Sequence, residues 1–269
     1  MLSILIPVYR QDCSQLVADL HAQGDALGVG YEVIVADDEK LQMGRARVRN
    51  WLADQARGEQ LLFIDGDAAV ESPHFLDNYL KVAAQAPVVI GGLHHADSLP
   101  SPDVSLRYRY EKAADKHRSA AERSQRPYAS FTPFNFLIDR EVFMAIRFDE
   151  QCTEYGHEDT LFGAELERRK IPVLHIDNPL VHTGLEPNAM FLEKSRTALR
   201  SLKRMEKELQ DHSTLLKRYR QAGRLGLHRL LARLFERYGA CWERRLTDNE
   251  RPSLFLFKLY KLTYYCTIS

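Results

Sequence analysis

The amino-acid sequence predicts an α/β fold in which a mostly parallel sheet is flanked by helices. Short apolar stretches with strand character alternate with longer stretches whose apolar residues recur at helical spacing. Strands that alternate with helices in this way form βαβ units around a parallel sheet. With 269 residues, of which 45% are hydrophobic, the chain is long enough for one large core or for a core with an appendage.

The predicted elements follow one another in a regular order. Strands are predicted over residues 3–8, 32–36, 61–64, 87–92, 131–138 and 171–176. Helices are predicted over residues 14–23, 42–57 and 73–85, with a short one after 139. The highly charged segment 104–126 is also predicted to be helical, as either a lid or a surface excursion, and its residues do not separate these two interpretations.

Polar side chains follow three of the predicted strands directly, at Tyr9, Asp37-Asp38 and Asp65-Gly66-Asp67. The carboxyl ends of parallel strands meet at one edge of the sheet, where ligands bind in folds of this class. Two carboxylates separated by one residue point the same way off extended backbone and suit a divalent cation, and the glycine between them allows close approach. The alternative is a solvated turn, because Asp-Gly is a common turn dipeptide.

Two acidic residues and a histidine later in the chain are further candidates. Glu158 and Asp159 lie in the first turn of a predicted helix, where the macrodipole stabilises negative charge with or without a catalytic role. The dipole also tends to lower a carboxylate's pKa, although such a group still serves as a base where a hydroxyl loses its proton in the transition state. His182 ends the last strand-like run and is either structural or a metal ligand that returns toward the aspartates.

Charge is distributed unevenly, although the formal net charge is zero. Residues 1–189 hold 19 Lys/Arg and 29 Asp/Glu, and residues 190–269 hold 18 and 8, so the balance is −10 followed by +10. A basic C-terminal segment either serves solubility alone or binds phosphate or an anionic membrane surface. We expect no nucleic-acid partner, because no recognised binding module accompanies the arginines.

Cysteine usage and hydropathy predict a cytoplasmic protein. The four cysteines are far apart and fit neither a zinc site nor a disulfide framework, which favours a reducing compartment. We expect no signal peptide, because the first strand begins at Ser3 without a basic leader, and no membrane span, because no run of 18 apolar residues occurs.

Five motifs occur in one order along the chain. They are Ser3-Ile4-Leu5-Ile6-Pro7-Val8-Tyr9, Asp37-Asp38, Gly44-Arg45-Ala46-Arg47-Val48-Arg49-Asn50, Asp65-Gly66-Asp67 and Gly156-His157-Glu158-Asp159. This series resembles the GT-A-fold, inverting glycosyltransferases of family 2 over roughly residues 1–185. The resemblance implies transfer of a sugar from a nucleotide-sugar to an acceptor hydroxyl of a glycan or lipid-linked glycan, in polysaccharide, surface glycan or glycolipid synthesis.

The resemblance also implies a role for each matched residue. The base and ribose would face Pro7, Tyr9 and Asp37 or Asp38, and a carboxylate that accepts the uracil N–H favours a UDP-sugar. Further nucleotide-sugar contacts would come from Gly44, Arg49, Asp65 and Gly66. The metal, Mn²⁺ or Mg²⁺, would be held by Asp65, Asp67 and His182, with Asp67 the direct ligand and Asp65 nearer the ribose. Asp159, beside Glu158, would be the catalytic base.

One segment departs from the family pattern. Family members carry Gly or Ser and Asn after the aspartate pair, whereas this chain has Glu39-Lys40-Leu41-Gln42. The departure puts in question the predicted contacts to the nucleotide, and with them the identity of the donor's nucleotide base.

The sequence predicts a catalytic domain over 1–189 and a helical, basic extension over 190–269. The tail of the extension, residues 253–265, is aromatic, apolar and basic, and it is too short to span a bilayer. Such a segment suits an interfacial helix on anionic lipid, which would place the enzyme peripherally on the inner face of the membrane, near a lipid-linked acceptor. The alternatives are contact with a second subunit and packing against the catalytic body.

Two other functions compete with glycosyl transfer. A nucleotidyltransferase has a similar sheet and a carboxylate pair, but it would carry a glycine-rich loop with Arg or Lys after the first strand, unlike residues 7–11 here. A non-catalytic nucleotide- or glycan-binding scaffold would not need aspartates at both the metal and the base positions.

Overall fold

The computed structural model describes residues 1–151 and 156–268. Cys152 and the Glu154-Tyr155 part of the segment before the Glu158 helix lie outside the described residues. The strands of the described chain are β1 (Leu2–Val8), β2 (Tyr31–Asp37), β3 (Gln60–Ile64), β4 (Ala68–Ala69), β5 (Val88–Ile90), β6 (Leu93–His94), β7 (Asn135–Asp139), β8 (Val173–His175) and β9 (Leu180–His182).

Helices connect these strands and make up the C-terminal part of the chain. They are α1 (Ser14–Leu27), α2 (Asp38–Leu41), α3 (Arg45–Gln55), α4 (Phe75–Val82), α5 (Ser105–Asp115), α6 (Ala120–Ser124), α7 (Arg140–Ile146), α8 (Glu158–Arg168), α9 (Asn188–Arg204), α10 (Thr214–Arg224), α11 (His228–Thr247) and α12 (Leu254–Tyr265). Within the described ranges, none of them combines the length and the apolar character that a bilayer crossing requires.

The residue contacts divide the chain into two compact units. The described residues of the first unit are 1–96, 115–151 and 158–184, and those of the second are 97–114, 156–157 and 185–268. These bounds differ from the predicted domains, because the second unit begins at Leu185 and includes a segment from the middle of the chain. The reason is apolar packing, since Leu106 of α5 joins the buried cluster of the C-terminal helices.

A six-stranded sheet forms the centre of the first unit, in the order β2-β1-β3-β7-β5-β8. The pairs β1–β2, β1–β3 and β5–β8 are parallel, whereas β7 is antiparallel to both β3 and β5. Five strands therefore run in one direction and β7 alone opposes them. The predicted α/β fold with a mostly parallel sheet flanked by helices is confirmed.

Both faces of this sheet are buried, because successive strand residues face opposite sides. Leu61 and Phe63 of β3 belong to one core cluster, together with residues of α3, α7 and α8. Leu62 and Ile64 belong to the other, together with residues of α1 and α4. The continuous apolar run 61–64 therefore reflects a strand covered by helices on each side.

The second unit has a core of its own, formed by α5 and the C-terminal helices. Its fully buried residues include Leu106, Leu246, Phe257 and Tyr260. Two arginines of α9 extend this packing through their hydrogen bonds to α12, where Arg196 Nε donates to the Tyr260 hydroxyl (2.7 Å) and Arg200 donates to that of Tyr264 (3.0 Å).

Candidate active site

Three strand ends meet at one edge of the central sheet. β1, β2 and β3 run in the same direction, and Val8 at the end of β1 pairs in register with Asp37 at the end of β2. The N–H of Gly66, just beyond β3, donates to the carbonyl oxygen of Pro7 (3.1 Å). The residues after these strands therefore lie side by side, as the sequence predicts.

The half-buried Pro7 and the exposed Tyr9 form the end of β1. The guanidinium of Arg10 lies over the Tyr9 ring, 5.1 Å from its centroid, and its Nε donates to Glu39 (2.7 Å). Glu39 belongs to the segment that departs from the family pattern. In this chain it links the end of β1 to α2, the short helix after β2.

Asp37 and Asp38 both engage the loop that follows them. Asp37 accepts the N–H of Glu39 (3.1 Å) and pairs with Lys40, whose hydrogen bond holds the pKa of the Asp37 carboxyl below its usual range. Asp38 Oδ1 accepts the N–H groups of Met43 (3.0 Å) and Gly44 (2.8 Å). Gly44 has φ +83, a conformation that favours glycine, and it begins α3. Asp37 thus caps α2, and Asp38 fixes where α3 starts.

Helix α3 brings Arg49 to the end of β3. Arg49 is buried, and its Nη2 donates to Asp65 Oδ1 (2.5 Å) while its Nη1 donates to the carbonyl of Arg45 (3.2 Å). Its guanidinium also lies over the Phe148 ring, 5.6 Å from the centroid. Asn50 has a structural part instead, because its side chain exchanges hydrogen bonds with the backbone of Phe148.

Gly66 packs closely against the end of β1, so a larger residue there would force its neighbours to shift. A Cβ at this position would be 2.9 Å from Val8 Cγ2 and 3.2 Å from the Pro7 carbonyl oxygen. The turn continues with the N–H of Ala68, which donates to the Asp65 carbonyl (3.1 Å). The Asp-Gly-Asp segment is therefore a turn packed tightly against the end of β1, so its two aspartates have defined positions.

A small second sheet, in the order β4-β9-β6, brings His182 to Asp67. Ala68 of β4 pairs in register with His182 of β9, and the backbone N–H and hydroxyl of Thr183 both donate to the Asp67 carbonyl oxygen (2.9 and 2.8 Å). As a result His182 Nε2 lies 3.0 Å from Asp67 Oδ2. The prediction that His182 returns toward the aspartates agrees with this geometry.

His182 is itself oriented by a second histidine and a carboxylate. His182 Nδ1 lies 3.2 Å from Nε2 of the buried His95, and His95 Nδ1 lies 3.0 Å from Asp115 Oδ1. The N–H of His95 also donates to the other oxygen of Asp115 (3.0 Å). These contacts form a row of four side chains, Asp67–His182–His95–Asp115, which we call the Asp-His row.

Glu158 and Asp159 occupy the first turn of α8, as predicted. Glu158 is buried, and its carboxylate lies 4.0 Å from the guanidinium of Arg45. Burial raises the pKa of Glu158, and the charge of Asp159 raises it further, against the opposing effect of Arg45 and Arg49. Asp159 is half-buried and accepts hydrogen bonds from the N–H (2.7 Å) and hydroxyl (3.2 Å) of Thr160.

The donor atoms of the Asp-His row fit a divalent cation. Neighbouring ligand atoms that lie about 2.1 Å from one octahedral ion are about 3.0 Å from each other, and His182 Nε2 and Asp67 Oδ2 are 3.0 Å apart. The same distance suits a hydrogen bond from His182 to Asp67 when Nε2 carries the proton. A ligating histidine usually hydrogen-bonds through its other ring nitrogen, and His182 does so through His95. Asp65, in contrast, is paired with Arg49, which leaves Asp67 and His182 as the better-suited ligands.

Sequence reasoning missed three residues of this site, His95, Asp115 and Gly184. His95 directly follows β6, which is parallel to β9, so the rule that selects polar residues after parallel strands would have found it if this two-residue strand had been predicted. A Cβ at Gly184 would overlap the Asp67 carboxylate. No pattern in the sequence marks Gly184 or Asp115, because their contacts join segments far apart in the chain.

No protein-family model matches the chain, and no curated protein matches it either. Among solved structures it is similar to TarS 1-349 of S. aureus, with 18% identity, a TM-score of 0.48, and coverage of 72% of this chain and 63% of that one. It is also similar to the mannosyltransferase PcManGT from Pyrobaculum calidifontis in complex with GDP-Man and Mn²⁺, with 13% identity, a TM-score of 0.48, and coverage of 77% and 64%. The chain therefore spans slightly less than two thirds of either structure.

A third similar structure is the mannosyl-3-phosphoglycerate synthase from Rubrobacter xylanophilus. The identity is 13% and the TM-score 0.49, over 77% of this chain and 75% of that one.

Proposed function

We propose that this chain is an inverting glycosyltransferase of the family 2, GT-A type. It would move the sugar of a nucleoside-diphosphate sugar, which we expect to be a UDP-sugar, to an acceptor hydroxyl. The observation that carries the proposal is the contact between Asp67 and His182 beyond β3, supported from behind by His95 and Asp115. A carboxylate and an imidazole held in this way suit Mn²⁺ or Mg²⁺ bound with a diphosphate.

The nucleotide would lie along the edge where β1, β2 and β3 end. In this arrangement Pro7, Tyr9 and the loop from Asp37 to Gly44 contact the base and ribose, and Asp65, fixed by Arg49, contacts the ribose. Asp67 and His182 would hold the ion, which would offset the charge that develops on the departing diphosphate. His95 and Asp115 are positioning residues, because they act through His182.

The acceptor hydroxyl would lose its proton to Asp159 as its oxygen attacks C1 of the sugar on the face opposite the diphosphate. A single displacement of this kind inverts the configuration at C1. Glu158 lies beside the base, and its buried carboxylate is held near Arg45. Holding donor and acceptor in line contributes much of the remaining rate increase.

The acceptor we propose is a glycan or lipid-linked glycan, and the place of reaction is the cytoplasmic side of a membrane. The scaffold interpretation leaves the second carboxylate pair without a purpose. The nucleotidyltransferase interpretation fits the end of β1 poorly, since residues 7–11 contain no glycine and Tyr9 is exposed there.

The test begins with binding and ends with transfer. We expect one of UDP, GDP, CDP and dTDP to raise the melting temperature of the full chain in a Mn²⁺-dependent way, because a ligand that binds only the folded state stabilises it. The sugar nucleotides of that base are then assayed for release of the diphosphate with a panel of glycan acceptors.

Two variants distinguish the roles of the carboxylates. Asp159→Asn should keep the Mn²⁺-dependent melting shift and lose about 100-fold or more of the transfer rate, as expected for a general base. Asp67→Ala should reduce both the Mn²⁺-dependent melting shift and the transfer rate. Near-normal transfer by Asp159→Asn would remove the base assignment, and the absence of any nucleotide shift in the unmodified chain would favour the scaffold.

A further inference from the structure

We propose that the turn between α10 and α11 is a docking surface for an anionic membrane. We define this surface, the α10–α11 corner, by three leucines and three arginines: Leu225, Leu227, Leu230, Arg224, Arg229 and Arg233. The inference is independent of the proposed chemistry, because every residue of the corner lies in the second compact unit.

The three leucines are exposed and close together in sequence. Leu225 is 73% exposed, Leu230 54% and Leu227 37%. Scattered single apolar residues are normal on a protein surface, whereas a cluster with a polar rim is typical of an interaction site. Elsewhere in the described chain, the large apolar residues with comparable exposure are isolated from one another in sequence.

The corner is a fixed structure and presents its leucines in one arrangement. The N–H groups of Leu225 and Leu227 both donate to the Ala222 carbonyl (3.2 and 2.9 Å), and Gly226 adopts φ +68 to turn the chain. His228, the first residue of α11, stacks on Tyr219 of α10 with ring centroids 3.9 Å apart. Its Nε2 also lies 2.7 Å from the Tyr219 carbonyl oxygen. These contacts hold the two helix ends together behind the exposed side chains.

The charge around the leucines has one sign. Residues 212–235 contain six Lys or Arg and no Asp or Glu: Lys217, Arg218, Arg220, Arg224, Arg229 and Arg233. The three arginines of the corner are exposed, and within the described residues none of them forms an ion pair. Leucines that enter the headgroup region and arginines that meet anionic headgroups are the two attractions that hold interfacial helices on a membrane.

The aromatic tail is a weaker candidate for the same contact. Phe257, Tyr260 and Tyr265 of α12 are fully buried inside the second unit, and Phe255 is the one residue of that helix with a largely exposed aromatic ring (77%) among those described. The expected membrane contact of the basic extension is therefore better placed at the α10–α11 corner than at residues 253–265.

The experiment is co-sedimentation of the full chain with vesicles of phosphatidylcholine alone or mixed with phosphatidylglycerol. We expect binding to the mixed vesicles that weakens as salt rises, because the arginine contribution is screened. The double variant Leu225→Ser/Leu230→Ser and the double variant Arg229→Gln/Arg233→Gln should each reduce the partition coefficient about tenfold or more.

The matched controls remove residues of the same kind, exposed apolar or exposed arginine, from places outside the α10–α11 corner. Phe255→Ser removes an exposed apolar residue from α12, and Arg244→Gln/Arg245→Gln removes two exposed arginines from the far end of α11. Both should bind like the unmodified chain. The nucleotide-dependent melting shift should be unchanged in all variants, so failure of this proposal is distinguishable from failure of the proposed function.

Three outcomes would overturn the proposal. The first is equal partitioning of the corner variants and the unmodified chain, and the second is loss of binding in Phe255→Ser instead. The third is a concentration-dependent dimer in solution that disappears in Leu225→Ser/Leu230→Ser, which would assign the corner to a second copy of the chain.

Discussion

At Gly184, the absence of a side chain decides where the Asp67 carboxylate can lie. A Cβ at this position would overlap Asp67 Oδ2, and the Asp67 backbone cannot retreat because Thr183 holds its carbonyl oxygen with two hydrogen bonds. The carboxylate itself would have to rotate away from His182. The Asp67–His182 geometry therefore depends on a residue that carries no functional group.

We predict that Gly184→Ala reduces Mn²⁺ affinity by about tenfold or more, because disturbing the support of a ligand typically costs that much. The affinity is measured by electron paramagnetic resonance of free Mn²⁺, without nucleotide or acceptor. Gly30→Ala is the matched control, since its Cβ would meet nothing closer than Met1 Cγ at 3.8 Å. An unchanged affinity in Gly184→Ala would mean that Asp67 is not a ligand in its present position.

For the two aspartates after β2, the sequence predicts where the carboxylates lie but not which groups they form hydrogen bonds with. Their position at a strand end is correct in the sequence analysis, but Asp37 accepts a hydrogen bond from the first turn of α2 and Asp38 accepts two from the residues that begin α3. Asp38 thereby fixes the helix that carries Arg49 to Asp65. A turn of this length has many ways to satisfy a carboxylate, so the sequence alone does not choose among them.

At the scale of a single helix, α8 shows burial prevailing over the macrodipole. The dipole stabilises negative charge in the first turn, which led us to expect a lowered carboxylate pKa there. The pKa of Glu158 is raised instead, first because the side chain is buried and second because Asp159 is adjacent. Phe162 and Leu166 of the same helix anchor it in the core, so the first turn is drawn out of water with them.

We predict that Glu158→Gln stabilises the folded chain at neutral pH by roughly 1 kcal/mol, because it removes a buried charge that is only partly compensated. Below about pH 4.3, the ordinary pKa of glutamate, both states of the unmodified chain hold the proton and the advantage vanishes. As pH rises, the unfolded chain releases the proton first and the unmodified chain loses stability, until the pH passes the raised pKa of the folded state.

Urea unfolding of both proteins between pH 4 and 8 measures this difference. Glu167→Gln, on the exposed side of the same helix, is the control and should show no such pH dependence. A difference between Glu158→Gln and the unmodified chain that stays constant with pH would contradict the assignment of a raised pKa to Glu158.

For the molecule as a whole, the parts predictable from sequence are those with a local signal. The strands at 3–8, 32–36 and 61–64 were predictable because each is a short apolar run that ends at polar residues, and they appear as β1, β2 and β3. The runs at 3–8 and 61–64 are buried, whereas β2 lies at the edge of the sheet and its Val35 is exposed. The antiparallel direction of β7 and the pairing of β4 with β9 were not, since hydrophobic patterns carry no information on strand partners. His182 meets Asp67 only through that pairing.

The compact units differ from the predicted domains for a related reason. Charge balance changes near residue 189, but the second unit recruits residues 97–114 through apolar packing of α5, which charge does not reveal. The same apolar packing determines whether the aromatic residues of the tail, 253–265, lie in the core or at the surface. A run of aromatic and basic residues is compatible with a membrane surface and with a core, and burial of Phe257 and Tyr260 shows that the core takes them here.

We therefore predict that truncation after Pro252 unfolds the second unit. Removing Phe257, Tyr260 and Tyr265 takes three fully buried aromatic side chains from one core, and each such loss costs about 3–5 kcal/mol. The sum reaches the whole stability of an ordinary domain, about 5–15 kcal/mol.

Far-ultraviolet circular dichroism of the truncated chain should lose more helical signal than the deleted segment accounts for, and the exposed apolar surface should bind a hydrophobic dye. Phe255→Ala, which removes the exposed ring of the same helix, should leave the spectrum and the melting temperature unchanged. If the truncated chain kept its remaining helical signal and its melting temperature, α12 would be an appendage, and its aromatic residues would again be candidates for the membrane contact that we assign to the α10–α11 corner.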